Sequence, residues 1–149
     1  MLYTKHEEIL SSDNVKQVIV FRKDLLKGEH AIRKGKFAAQ CCHASLGALL
    51  QYFEKIESGN AIEYQVAFEK GTVLDKWLNG IFTKICLSVD NEEQLLELKK
   101  KCDDMHIANA LITDAGCTEF HGVPTVTCLG IGPHYSEIID KLTGNLSLL

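Results

Sequence analysis

The chain has 149 residues, 46% of them hydrophobic and 24% charged, with two prolines and eleven glycines. A single domain of that length buries roughly 70% of its unfolded surface, and the composition excludes collagen-like, low-complexity and disordered classes. The net charge of −4, taken alone, speaks against a nucleic-acid partner, whose phosphates repel an acidic protein. Glu7 and Glu8 interrupt the only apolar candidate near the N-terminus, so no secretory signal is expected. No stretch reaches the roughly 18 apolar residues of a membrane span, so no membrane association is expected either. The six cysteines, Cys41, Cys42, Cys86, Cys102, Cys117 and Cys128, contain no C-x-x-C pair and no zinc-finger spacing. They read as reduced thiols of a cytoplasmic protein with no metal.

In chain order, residues 1–14 read as a loose polar tail, and the folded domain as residues 15–149. Lys16–Arg22 (KQVIVFR) is a β-branched run of the kind found in buried strands. Residues 23–35 form a basic connection. From Lys36 to about Phe53 the chain reads as a helix, apolar over most of its circumference and therefore expected to pack on two sides. Residues 54–80 read as two short helices broken near Gly71, the second carrying Trp77. Thr83–Val89 is a second strand. Asp90 or Asn91 then caps a helix running to about Met105, with Leu95, Leu98, Cys102 and Met105 on one face. Ala108–Thr113 and Thr125–Ile131 are the third and fourth strands. The loop between them is too short for a crossover helix, which predicts antiparallel pairing. A last helix spans about Ser136–Leu142. The expected fold is α/β: a single domain with a four-stranded mixed β-sheet and helices on both faces.

Two segments carry polar groups in positions that invite chemistry. Advancing about 100° per residue from Lys36 places Gln40 near 40°, His43 near 340° and Gly47 near 20°, so these residues share one stripe. Taken alone, such a stripe reads more simply as an exposed polar edge. A lysine in a first helical turn, however, faces the positive end of the helix dipole and is unfavourable without an anionic partner. Gly47 leaves room for a close approach. The second segment is ITDAGCT (Ile112–Thr118), in which Asp114 and Gly116 close an apolar strand, where open α/β sheets tend to place ligand groups. An Asx turn is the plainer reading of Asp114.

Together, KGKFAAQCCHA (Lys34–Ala44), ITDAGCT and TVTCLGIGP (Thr125–Pro133), with RKDL (Arg22–Leu25) and the closing IIDKLTGNLSLL, resemble the type 2, archaeal-type, peptidyl-tRNA hydrolases. The resemblance runs in order from about Lys16 to the C-terminus. It implies a cofactor-free hydrolase that cleaves the ester between a peptide and the 3′ ribose of tRNA, recognising the acceptor stem and 3′ end. Carried over, the family's catalytic positions fall on Lys36, Asp114, Thr118 and Thr127. Its substrate-binding or supporting positions fall on Gln40, His43 and Gly116. Thr125 competes with Thr127, because the loop Glu119–Pro124 is a residue longer than the family's. The connection Lys23–Gly35 is also longer than usual. The competing classes are a catalytically silent RNA- or protein-binding module on the same fold and a thiol redox protein. The first is disfavoured by the presence of Lys36, Asp114 and Thr118. The second is disfavoured because Cys41, Cys42, Cys86 and Cys128 sit in apolar runs that read as core. A homodimer through the apolar first helix or a strand edge stays open.

Splitting the charge reverses the first inference from it. Lys16 to Lys36 holds seven basic residues against two acidic ones, a net of +5, while the remainder holds nine basic and eighteen acidic residues. Arg22, Lys23, Lys27, Arg33 and Lys34 are therefore candidate contacts to the tRNA backbone.

Overall fold

The computed structural model describes residues 14–149. The expected polar tail therefore lies, save for Asn14, outside the described residues. The elements in chain order are β1 (Val15–Arg22), α1 (Lys34–Leu50), β2 (Glu54–Ser58), β3 (Ala61–Gln65), α2 (Val73–Leu78), β4 (Lys84–Val89), α3 (Glu92–Asp104), β5 (Asn109–Asp114), β6 (Thr125–Tyr135), α4 (Ser136–Thr143) and β7 (Ser147–Leu148).

The main sheet is mixed, with strand order β5-β6-β1-β4-β7. β1 runs parallel to β4 and antiparallel to β6, and β5 pairs with β6 antiparallel, as the short connection between them requires. The expected count of four strands is corrected to five. The fifth, β7, is only two residues long and pairs Leu87 with Leu148 and Ser88 with Ser147, too short to show any periodicity. Residues 54–80 also depart from expectation. In place of a first helix, β2 and β3 form a separate two-stranded sheet, and only α2 is helical. The hairpin turns on Gly59–Asn60, with Gly59 at φ 57°, the conformation a two-residue loop with glycine first demands.

β1 runs through the middle of the sheet and is buried on both faces, as its β-branched run foretold. Val18 and Val20 pack with Leu95 and Leu98 of α3 and Ile139 and Leu142 of α4. Ile19 and Phe21 face the other way, onto Ala44 of α1 and Cys128 of β6. Asn91 caps α3, its side chain accepting the Gln94 N–H at 3.0 Å. Leu95, Leu98 and Cys102 are buried, whereas Met105 lies past the helix end and is 40% exposed.

α1 positions the site, and three contacts fix it. Its buried face is Gln40, Ala44 and Ala48. A Cβ at Gly130 of β6 would lie 2.1 Å from the Ala44 carbonyl oxygen, so only glycine lets helix and strand approach this closely. The buried Gln17 amide donates to the carbonyls of Ser45 and Gly132 and accepts from the Ser45 hydroxyl at 2.6 Å, tying α1 to both strands. The expectation that α1 packs on two sides fails. Ala38, Ala39, Cys42 and Leu46 are exposed, because α1 lies on one face of the sheet and no layer covers it among the described residues.

Candidate active site

α1 opens with Lys34, and no side chain of its own caps it. Glu119, from the loop between β5 and β6, instead accepts the Arg33 N–H at 3.0 Å and pairs with the Arg33 guanidinium at 2.8 Å. That acid also suits the positive end of the helix dipole. Lys36, in the first turn, needs an anion of its own and has one: its Nζ lies 2.5 Å from Asp114 Oδ2. The two side chains are only 15% and 12% exposed.

Asp114 sits where β5 ends. Its Oδ2 also accepts from Gln40 Nε2 at 2.9 Å, and its Oδ1 accepts the Gly116 N–H at 2.9 Å. Gly116 is at φ +82°, and a Cβ there would meet the Val123 carbonyl oxygen at 2.4 Å. Glycine is therefore required both for the turn and for the loop to fold back, which it does through Gly122 N–H to Gly116 C=O at 2.8 Å. Lys36 also donates to Thr118 Oγ1 at 3.0 Å, and its ammonium stands 5.5 Å from the Phe120 ring centroid.

Thr127 reaches the cluster through an irregularity in the ladder. Ile112 pairs with Cys128, but the next residue, Thr113, pairs with Val126. β6 thus spends one extra residue, Thr127, in a bulge. Bulges re-aim side chains beside functional sites, and this one sends the Thr127 hydroxyl toward α1 rather than to the opposite face. It donates to Gln40 Oε1 at 2.7 Å. Thr125, the competing threonine, donates to the Val123 carbonyl at 2.9 Å and serves the turn.

The result is one chain of contacts: Thr127 to Gln40 to Asp114, with Lys36, Thr118 and Gly116 around the carboxylate. The hydrogen bond from Lys36 holds the Asp114 carboxyl below its ordinary 3.8, outweighing desolvation, with help from the Gly116 N–H and Gln40. The acid is therefore ionised throughout the neutral range. Among the described residues no group of three or more His, Cys, Asp or Glu side chains is placed to hold a metal ion.

Other expected residues lie elsewhere. His43 is exposed on α1 and makes none of these hydrogen bonds. The close approach that Gly47 permits is that of the sheet, since a Cβ there would come within 2.9 Å of Ala110 Cβ. The Arg22 guanidinium is spent inside the protein, on Asp24 at 2.7 Å, Glu92 at 2.7 Å and the Val126 carbonyl at 2.9 Å. Lys23 pairs with Asp90 at 2.6 Å and Arg33 with Glu119. Lys27 and Lys34 remain exposed. Cys42, expected in the core, is exposed, whereas burial pushes the thiols of Cys41 and Cys128 up to about 12 and about 11. The sequence did not point to Glu119 or Phe120, whose roles depend on how the loop folds back.

Fold and site together define a class: an α/β domain with an ion-paired polar cluster at the carboxyl end of an edge strand. Comparison with known proteins supplies the family. The model of the family Peptidyl-tRNA hydrolase PTH2 matches residues 15–149. The chain is 41% identical over 134 residues to a peptidyl-tRNA hydrolase of Methanopyrus kandleri, covering 90% of this chain and 97% of the relative. It is 38% identical over 135 residues to one from Methanothermobacter thermautotrophicus, covering 91% and 100%, and 36% identical over 135 residues to one from Thermoplasma volcanium. The chain belongs to the PTH2 family of peptidyl-tRNA hydrolases.

Proposed function

We propose that this protein hydrolyses the ester joining a peptide to the 3′ ribose of tRNA, with the Lys36–Asp114 pair at the reacting centre. The observation that carries the reading is the ion pair itself. Family membership supplies the reaction, and the pair is the charged group at the end of β5 that such a reaction can use.

Counting donors and acceptors assigns the roles. A carboxylate has about four acceptor positions, and Asp114 fills three of them with Lys36, Gln40 and Gly116. The fourth takes the attacking water. With its pKa lowered, Asp114 is a weak base at neutral pH, so it orients the water more than it strips it. Lys36 has three N–H donors, and Asp114 and Thr118 take two. The third faces the oxyanion as it forms, the preorganised stabilisation that acyl transfer requires. Thr118 accepts from Lys36, which leaves its own hydrogen for substrate. Water adds to the ester carbonyl, the bond to the 3′-oxygen breaks, and the water's proton ends on that departing oxygen. Gln40 holds Asp114, and Thr127 holds Gln40.

Lys27 and Lys34 are the exposed cations of the basic tract best placed to meet tRNA phosphates. Arg22 and Lys23 brace the turn after β1, and Arg33 braces the site loop. The reaction belongs with translation in the cytoplasm, in keeping with six free thiols. The test is steady-state cleavage of a peptidyl-tRNA by Lys36→Ala and Asp114→Ala. Folded variants that lose kcat/KM by at least about a hundredfold support the assignment, and near wild-type values overturn it.

A further inference from the structure

β5 is an edge of the main sheet, and it ends in Asp114. The Ala108 carbonyl accepts the Gly132 N–H at 2.7 Å, and the Ile112 carbonyl faces the Thr127 hydroxyl. Both therefore point inward to β6. Strand alternation then points the main-chain N–H and C=O groups of Asn109, Leu111 and Thr113 outward, where no other described strand lies. Sheet edges are ordinarily blunted by shortness, lysine, proline or a bulge on the edge strand. The opposite edge, β7, is two residues long. β5 is six residues long, reads NALITD, and carries neither lysine nor proline. Its one irregularity lies on β6, the inner strand. Among the described residues it is an unprotected edge, and it leads straight to the candidate active site.

We infer that this edge binds the peptide arm of the substrate as an added strand. The inference rests on the hydrolase reading above. The ester lies at the peptide's C-terminus and must sit at Asp114, the C-terminal end of β5. A peptide leading away along the edge then runs in the same direction as β5, so the pairing is parallel. Recognition through main-chain groups, as in β-strand addition, suits a substrate whose peptide has no fixed sequence. Leu111 and Thr113 grip one peptide residue between them, and Asn109 and Leu111 grip the residue two positions upstream. The side chains of Leu111 and Ile112 point into the two faces of the core, so at these two positions only the backbone is on offer.

The experiment is a series of N-acetylated peptidyl-tRNAs with the same tRNA and C-terminal residue and one to six residues of peptide. With the protein as it stands, kcat/KM rises at least about tenfold up to four or five residues and then levels off, since each main-chain bond is worth about fivefold. Single N-methylation along the longest peptide removes that gain at every second position and not at those between. In Leu111→Pro, which deletes an outward N–H, the ratio of kcat/KM between the longest and the shortest substrate falls toward one, whatever the variant's rate on the shortest. A flat length profile, or N-methyl effects without alternation, overturns the inference while cleavage of the shortest substrate leaves the hydrolase reading standing. Failure to cleave any of the series overturns both. The N-methyl scan uses unmodified protein and decides the matter even where Leu111→Pro fails to fold.

Discussion

Replacing Thr127 by Val keeps the shape of the side chain but puts a methyl in place of the hydroxyl and the hydrogen that it donates. That hydrogen has a single good acceptor. Gln40 Oε1 lies at 2.7 Å, while the Ile112 carbonyl is 3.4 Å away. Thr127 and Gln40 are 0% and 2% exposed, so water cannot take the hydroxyl's place. An acceptor left unsatisfied in such a position costs about 1–3 kcal/mol. For a domain of this size that lowers Tm by roughly 2–10 °C. The functional effect follows from the same bond. Without the threonine donor the Gln40 amide is held at one end only, and its Nε2 hydrogen bond to the carboxylate at 2.9 Å is weakened. A hydrogen bond to a charged group is worth about 1.5–3 kcal/mol, so kcat falls about ten- to a hundredfold, with KM little changed. Thr127→Ser keeps the donor and retains activity near the wild type's. The assay is steady-state hydrolysis of an N-acetylaminoacyl-tRNA alongside thermal unfolding of the three proteins. A valine variant with wild-type Tm and kcat would refute the relay from Thr127 through Gln40 to Asp114.

Five further outcomes are expected. Burial lowers the His134 pKa below its ordinary 6.5, and its Nδ1 accepts the Tyr135 N–H at 2.9 Å. The unfolded chain therefore binds this proton more readily than the folded one, so the contribution is complete above pH 6.5 and is lost as pH falls toward the lowered folded value. Tm measured from pH 7 to pH 5 falls, and His134→Asn flattens that slope. Asp114, ionised down to below 3.8, adds no acid limb to the rate profile in this window. Gly116→Ala places a side chain at φ +82° against the Val123 backbone. It costs at least about 1–2 kcal/mol for the left-handed backbone alone, and kcat drops with it because the Gly116 N–H leaves Asp114. KM for the tRNA substrate rises with salt, and Lys34→Ala reduces that slope by about one phosphate. Arg22→Ala shifts Tm far more than the slope, since its partners are Asp24, Glu92 and the Val126 carbonyl.

Much of the scaffold was legible because burial and local chemistry agreed. β1 reads as a strand buried on both faces and is one. α3 announces itself by the Asn91 cap, acids in its first turn and lysines in its last. The hairpin at Glu54–Gln65 was missed although it carries a two-residue Gly59–Asn60 turn. Its side chains are mostly exposed, so the alternation that betrays a half-buried strand is weak. β7 is too short to leave a pattern. In the site, the need of Lys36 for an anion could be read from the dipole argument, but its partner could not, because Asp114 lies 78 residues away in sequence. The choice between Thr125 and Thr127 turns on a bulge: two residues apart, they share one face of a regular strand, and a period-two pattern does not show where an extra residue is inserted. Gly47 was legible as a site of close approach, but what approaches it was not. The close approach it permits is to the strand beneath it, and a single sequence does not say which neighbour a glycine accommodates. The basic tract showed the right charges without showing that Arg22, Lys23 and Arg33 spend theirs on Glu92, Asp90 and Glu119.

The most direct test of the account is single-turnover hydrolysis of N-acetylaminoacyl-tRNA by the wild type and by Asp114→Asn, with binding of deacylated tRNA measured on both. Asn keeps the shape of the side chain but not its charge, so the water and the Lys36 ammonium lose their anchor while the tRNA surface stays intact. The account predicts that both proteins bind tRNA within a few-fold of each other and that the variant cleaves at least about a hundredfold more slowly. Cleavage by the variant at the wild-type rate, or binding by the wild type without cleavage, would contradict it.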